Sequence, residues 1–410
     1  MHQKVDLLSI SLKVFLFLSI CFTYGATYRG PLYNLIFLAT LILGIDMLFK
    51  TILTLRISKK FLYLLLVSIL PFIVNGIIIL NTEIINRERH NSFLGLTLIL
   101  TVASVLLVEL LFRKKSEIKY VFLVSSIIWV TVNTSNFILN KFNIIHSYSG
   151  SFSGIFINRN DFAVSSVVML ALLYIVLDSF GSKKVQMIAK ITIFMLIGLI
   201  LLSLSMKGVF GVIFIISSYR LLLSSNSIGN KILYIYFGLA LVTLLYGLGS
   251  LLNSALFIRI NLYVSSIFGD LDTYQNSNER ISLINQAIEV IKNNMFSGVG
   301  MDNSRYYLYV TYASGREVGK YSHNNFLEIM LNGGLFTFIF YYYYLVKIFI
   351  ISLFNLKKKK VYGYIIMLLS LKLFFDGASV TYTNSSVIFL YTFSVYLYIK
   401  YRKGEDINFV

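Results

Sequence analysis

The chain has 410 residues, 57% of them apolar and only 13% charged, with a formal charge of +18 and a mean hydropathy of +0.77. Soluble domains carry about 25% charged residues, so an ordinary soluble fold is excluded, and alternating strands of a transmembrane β-barrel are not seen. The single cysteine, Cys21, excludes a disulfide framework and any cysteine-based metal site.

Apolar stretches long enough to cross about 30 Å of hydrocarbon recur from end to end. The chain therefore reads as an all-α polytopic integral membrane protein with about twelve transmembrane helices. The spans are predicted near 7–25, 32–49, 61–80, 93–112, 119–139, 161–179, 187–205, 208–225, 232–253, 324–354, 361–379 and 383–400. The division is a nine-helix membrane region over 1–253, a large extracytoplasmic loop over 254–322 between the ninth and tenth spans, and a three-helix membrane region over 323–410. An even span count puts both termini on one side. Placing them in the cytoplasm puts Lys50, Arg56, Lys59, Lys60, Arg113, Lys114, Lys115, Lys183, Lys184, Lys357, Lys360, Lys400 and Arg402 inside, as the positive-inside rule requires. The basic charge is thus mostly topological, and nucleic acid is not an expected partner.

In chain order, Lys4 and Asp6 precede a first span read as uncleaved. Lys13 and Asp46 lie within the first two spans and are taken as structural. Pro71 is expected to kink the third. "FINRNDFA" (156–163) carries Arg159 at the mouth of the sixth span, with Asn160 or Asp161 as the expected helix cap. "SLSMKGVFG" (203–211) sets Lys207 at a tight turn between the seventh and eighth spans, on the same outer face.

The long loop far exceeds ordinary connections and is therefore read as functional. Ile281, Ile284, Ile288 and Ile291 recur at helical spacing, predicting an amphipathic helix over 279–293 that lies on the membrane or over the bundle. Arg280 opens it; a guanidinium there is a surface charge or a bidentate phosphate partner. "SGVG" (297–300) ends it, and the tyrosines Tyr306, Tyr307, Tyr309 and Tyr312 follow. Next comes "YSHNNFLEIMLNGGLF" (321–336). It sets His323 at the mouth of the tenth span, where an imidazole with a reference pKa of about 6.5 suits a general base. The plainer reading is a solvated helix-end residue with Asn324 as the cap. Gly333 and Gly334 are expected to let helices pack closely. Lys372 and Asp376, four apart in the eleventh span, are expected to pair. Arg159, Lys207, Arg280 and His323 all fall on the outer face, a cationic cluster with one titratable base that suits a lipid-diphosphate donor and a hydroxyl acceptor. There is no Walker loop and no Cys/His metal-ligand spacing; "DLD" (270–272) is a short match to an acidic metal motif, and no metal or cofactor is expected.

"ERISLINQAIEVIKNNMFSGVGMDN" (279–303) followed by "SHNNFLEIMLNGGLF" (322–336) resembles the O-antigen polymerase and ligase superfamily. The shared pattern is an arginine, an apolar helix, G-x-G, a variable stretch, then H-N-x-x-L opening a span. "GSFSGIFINRNDFA" (150–163) and "LSLSMKGVFGV" (202–212) resemble two further segments in the same order. The resemblance implies a metal-independent glycosyltransferase of the bacterial inner (cytoplasmic) membrane, multi-pass, with its active site on the extracytoplasmic face. Its donor would be an undecaprenyl-diphosphate-linked glycan and its acceptor a sugar hydroxyl. Arg280 would match the loop arginine and His323 the essential histidine. Lys207 stands where the family usually has arginine, and Asn294-Met295-Phe296 replaces a proline-containing run.

The first reading is a polymerase of O-antigen or capsule. His323 and Arg280 are then catalytic, Arg280, Lys207 and Arg159 bind diphosphate, and Asn324 and Asn160 support them. Partners would be the undecaprenyl-diphosphate-linked oligosaccharide and the lipid bilayer, with flippase and chain-length regulator proteins as candidates. The alternatives are a ligase passing finished glycan to a lipid or protein, and a lipid-linked oligosaccharide flippase. A flippase would show inverted repeats, which the sequence lacks.

Overall fold

The structure is a computed structural model, and it describes residues 7–22, 59–80, 82–141, 158–223, 275–311, 317–357 and 360–401. The helices are α1 (Leu7–Phe22), α2 (Lys59–Leu80), α3 (Arg87–Arg113), α4 (Lys115–Lys141), α5 (Arg159–Leu177), α6 (Lys183–Leu202), α7 (Met206–Ser218), α8 (Gln275–Asn293), α9 (Asn325–Phe354), α10 (Lys360–Ala378) and α11 (Ser385–Tyr401). A short hairpin pairs β1 (Tyr309–Thr311) with β2 (Glu317–Gly319) antiparallel, Val310 opposite Val318. Among the described residues, α2 to α6, α9 and α10 are long and apolar enough to cross a membrane, and the chain is a multi-pass helical membrane protein. The spans expected near 32–49 and 232–253 lie outside the described residues, as does Asp46.

Lipid offers no hydrophobic drive between helices, so close packing and interhelical polar contacts must hold such a bundle together. Aromatic rings supply much of the packing. Phe17 of α1 meets Phe122 of α4 at 5.4 Å and Phe389 of α11 edge-on at 5.1 Å. Phe112 of α3 lies 4.5 Å from Tyr396 of α11. The polar contacts include Lys13, whose ammonium meets the buried carboxylate of Glu117 at 2.6 Å and so ties α1 to α4. Lys372 pairs with Asp376 as its spacing predicts, fully buried and beneath the ring of Tyr341 at 4.8 Å.

The two ends of the bundle differ. At one, Asp178 after α5 binds Lys360 of α10 at 2.8 Å and accepts from the Tyr219 hydroxyl at 2.9 Å, while Lys119 donates to the Ser179 carbonyl at 3.0 Å. At the other lie the start of α3, the starts of α5 and α7, the hairpin segment and the start of α9. Here α8 packs over α9, burying Leu283 and Ala287 with Val299, Leu308 and Leu331. Leu283 and Ala287, which stand beside the isoleucines on the predicted face, are the buried residues; Ile291 packs against them, while Ile288 is exposed. The helix begins slightly earlier than the pattern indicated but occupies the predicted segment.

Candidate functional site

His323 occupies the last turn before α9. Its backbone is left-handed, with φ of +58°, in a region that few non-glycine residues enter. Both neighbours are held. Ser322 gives its backbone N–H (3.0 Å) and its hydroxyl (2.8 Å) to Glu328 Oε2. Asn324 caps α9, its side-chain oxygen accepting from the N–H groups of Phe326 (2.9 Å) and Leu327 (3.2 Å). The strained residue is thus fixed from either side, and such conformations concentrate at functional sites. The His323 ring is half-buried and lies 4.4 Å from that of Tyr321.

Glu328 is the hub behind this turn. It is fully buried and accepts from Ser304 Oγ, Ser322 and Asn332 Nδ2 (3.0 Å). Asn332 Oδ1 accepts from the Ser304 N–H at 3.2 Å. One turn earlier, Asn325 Oδ1 accepts from the N–H groups of Thr381 (2.9 Å) and Tyr382 (3.1 Å), and its amide donates to the Tyr342 hydroxyl at 3.0 Å. Tyr342 donates to Asp376 at 3.0 Å. The start of α9 is therefore bound both to the hairpin segment and to the α10–α11 turn.

The Gly333–Gly334 pair does something other than the helix packing its sequence predicts. Gly334 has φ +69° and ψ −178° and interrupts α9. That conformation is essentially restricted to glycine, and it frees the carbonyls of the preceding turn. "SGVG" fills the break: Val299 N–H donates to Leu331 O (2.8 Å), Gly300 N–H to Asn332 O (2.9 Å), and Leu335 N–H to Met295 O (2.8 Å). A Cβ on Gly298 would stand 2.6 Å from Gly334 N, and one on Gly334 would stand 2.2 Å from Phe296 O. The glycines of the two motifs permit one backbone clasp, which locks the segment after α8 to the helix that follows His323.

At the same end, α5 and α7 come together through small residues. A Cβ on Gly208 would meet Ala163 Cβ at 2.8 Å, and one on Gly211 would meet Val167 at 2.8 Å. This close approach lets Ser205 Oγ donate to Asn160 Oδ1 at 2.8 Å. Arg159 is the first residue of α5 and Lys207 the second of α7, so both cations flank this bond, and the Asp161 carboxylate interacts with Lys207. Neither Asn160 nor Asp161 caps α5. Asn158 does, its side chain accepting from the Asn160 N–H at 2.9 Å. Arg280 falls in the first turns of α8, and its side chain lies outside the described residues.

Sequence reading missed one cationic group. Asp302, buried and left-handed at φ +56°, ion-pairs with Arg89 through Oδ2 and with Arg305 Nε through Oδ1 at 3.2 Å. Arg305 lies 5.6 Å over the ring of Tyr321, the ring that meets His323. Its single signal in the sequence is a charge in an otherwise tyrosine-rich stretch. His90, also buried, accepts the Met301 N–H on Nδ1 at 2.9 Å, fixing α3 to the same segment. No group of three or more His, Cys, Asp or Glu side chains is gathered for a metal ion among the described residues.

No curated protein matches the chain significantly. Residues 191–342, which run from α6 into α9 and contain Lys207, Arg280, Arg305 and His323, match the family model described as O-antigen ligase, consistent with the O-antigen polymerase/ligase superfamily.

Proposed function

We propose that this protein is a membrane glycosyltransferase that extends a surface polysaccharide such as O-antigen or capsule. It would pass an undecaprenyl-diphosphate-linked glycan to a sugar hydroxyl of another lipid-linked repeat unit, on the extracytoplasmic face of the bacterial cytoplasmic membrane. The observation that carries the reading is the fixed left-handed turn presenting His323 just before the start of α9, within a segment that matches the O-antigen ligase model.

In the reaction, the acceptor oxygen attacks the anomeric carbon of the donor. A new glycosidic C–O bond forms as the bond to the diphosphate breaks, and direct displacement inverts the anomeric centre. His323 takes or orients the acceptor proton, directly or through water. The diphosphate leaves carrying the bond's electron pair, and fixed cations offset its charge. Arg280, Lys207 and Arg159 supply these cations; a diphosphate stabilised in this way has no strict need of a metal. Asn324 fixes the His323 turn, and Asn160 fixes the Arg159–Lys207 side through Ser205.

The matched family's description keeps a second reading in view, transfer of finished glycan to a lipid or protein acceptor. One experiment separates them. In cells making the His323→Ala protein, with membrane insertion verified, single repeat units alone on a glycan gel support the polymerase. Long chains retained on the lipid carrier identify a ligase. An unchanged glycan profile removes His323 from catalysis.

A further inference from the structure

We infer that Arg305 forms a substrate-oxyanion subsite beside His323, an assignment that rests on the glycosyltransferase reading above. Its backbone is packed from two sides. Ser304, the residue before it, is held by Glu328 and Asn332, and Gly319 of β2 lies so close that a Cβ there would stand 2.3 Å from Arg305 O. Its side chain is aimed as well. Nε is bound to the buried Asp302, and the guanidinium lies over Tyr321, which lies against His323.

That arrangement occupies one edge of the guanidinium and leaves the other open. Among the described residues, both terminal Nη groups of Arg305 have no protein hydrogen-bond partner, and its side chain is 42% exposed. Two Nη donors in a fixed plane match the two oxygens of a phosphate or carboxylate. Asp302 does not cancel the charge, because it is shared with Arg89 and two guanidiniums stand against one carboxylate. A solvated surface arginine would not be held by a buried carboxylate, an aromatic face and a locked backbone together, since that ordering costs side-chain entropy.

The ligand class is an oxyanion. Two sources present it at this place: the diphosphate of the lipid carrier, and the carboxylate of an acidic sugar in the acceptor. Arg305 belongs to a different segment of the chain from Arg280, Lys207 and Arg159.

The test uses the full-length protein in lipid nanodiscs, with undecaprenyl diphosphate and sodium glucuronate as probes and binding followed by thermophoresis. Arg305→Gln is expected to weaken one probe by about tenfold to a hundredfold, the scale of a charge-assisted hydrogen bond. Arg305→Lys, which keeps the charge but loses the fork, should fall between Gln and wild type. It also guards against a folding defect, with the melting temperature recorded for each variant. Weakened undecaprenyl diphosphate binding assigns the subsite to the carrier, and weakened glucuronate binding assigns it to an acidic sugar. If Arg305→Gln binds both probes as wild type does, or wild type binds neither, the assignment is overturned. The glycan profile of His323→Ala reports on the parent reading separately. Loss of chain extension there, with unaltered probe binding in Arg305→Gln, keeps the reading and removes the subsite.

Discussion

Replacing Gly334 with alanine tests the clasp between the α8 segment and α9. The substitution acts in two ways. First, φ +69° with ψ −178° is a conformation that costs any residue with a Cβ about 1–3 kcal/mol. Second, the new methyl group would stand 2.2 Å from Phe296 O and 2.5 Å from Phe296 C, both backbone atoms with no rotamer to escape into. The segment must move away, which endangers the hydrogen bonds Val299–Leu331, Gly300–Asn332 and Leu335–Met295. Each contributes roughly 0.5–1.5 kcal/mol, so a fully released clasp costs on the order of 2.5–7.5 kcal/mol, strain and bonds together. The assay is thermal unfolding of the detergent-solubilised protein together with limited proteolysis between Phe296 and Met301. Gly198→Ala is the control, because a Cβ there meets nothing within 4 Å and alanine favours a helix over glycine. Gly334→Ala should melt markedly lower and be cut faster, while Gly198→Ala should match wild type or exceed it. Equal melting and equal proteolysis for the two variants would refute the clasp.

Further substitutions probe the supports of the site. Removing Lys372 as methionine leaves the Asp376 charge buried without its ion-pair partner, a change expected to cost about 3–5 kcal/mol. Adding Asp376→Asn should recover part of the loss, and melting curves of the single and double variants decide it. His90→Phe keeps the bulk but orphans the buried Met301 N–H, at about 1–3 kcal/mol. It should loosen the Met301–Tyr306 segment, seen as faster amide exchange there and not in α10, and uniform exchange would count against the contact.

The candidate site unites pieces that are far apart in sequence. Asn86, at the start of α3, gives its backbone N–H to Asn303 Oδ1 at 2.9 Å and its amide to the Tyr306 hydroxyl at 3.0 Å. Together with His90 and Arg89, it binds the hairpin segment to the membrane helices. That segment in turn reaches Glu328 through Ser304. The segment around His323 is thereby fixed at several points.

The sequence alone determined what depends on local composition and period. Long apolar runs settle the membrane class, because uncompensated polar backbone cannot cross hydrocarbon except as helices or closed barrels. Helical spacing placed α8 close to its observed limits, the H-N-N run placed the start of α9 with Asn324 as its cap, and the four-residue interval paired Lys372 with Asp376. Tertiary structure decided what depends on distant neighbours. Asn158 is the cap of α5, while Asn160 reaches across to Ser205. Gly333–Gly334 breaks a helix because "SGVG", about thirty-five residues earlier, fills the gap. Glu328, Asp302 and Arg305 looked like ordinary charges in the sequence. Burial made the first two organising centres, and Asp302 holds the third, Arg305, whose guanidinium lies over the ring of Tyr321. No local pattern encodes such partnerships, since each needs a polar group on another element and a low-dielectric surrounding that makes leaving it unpaired costly.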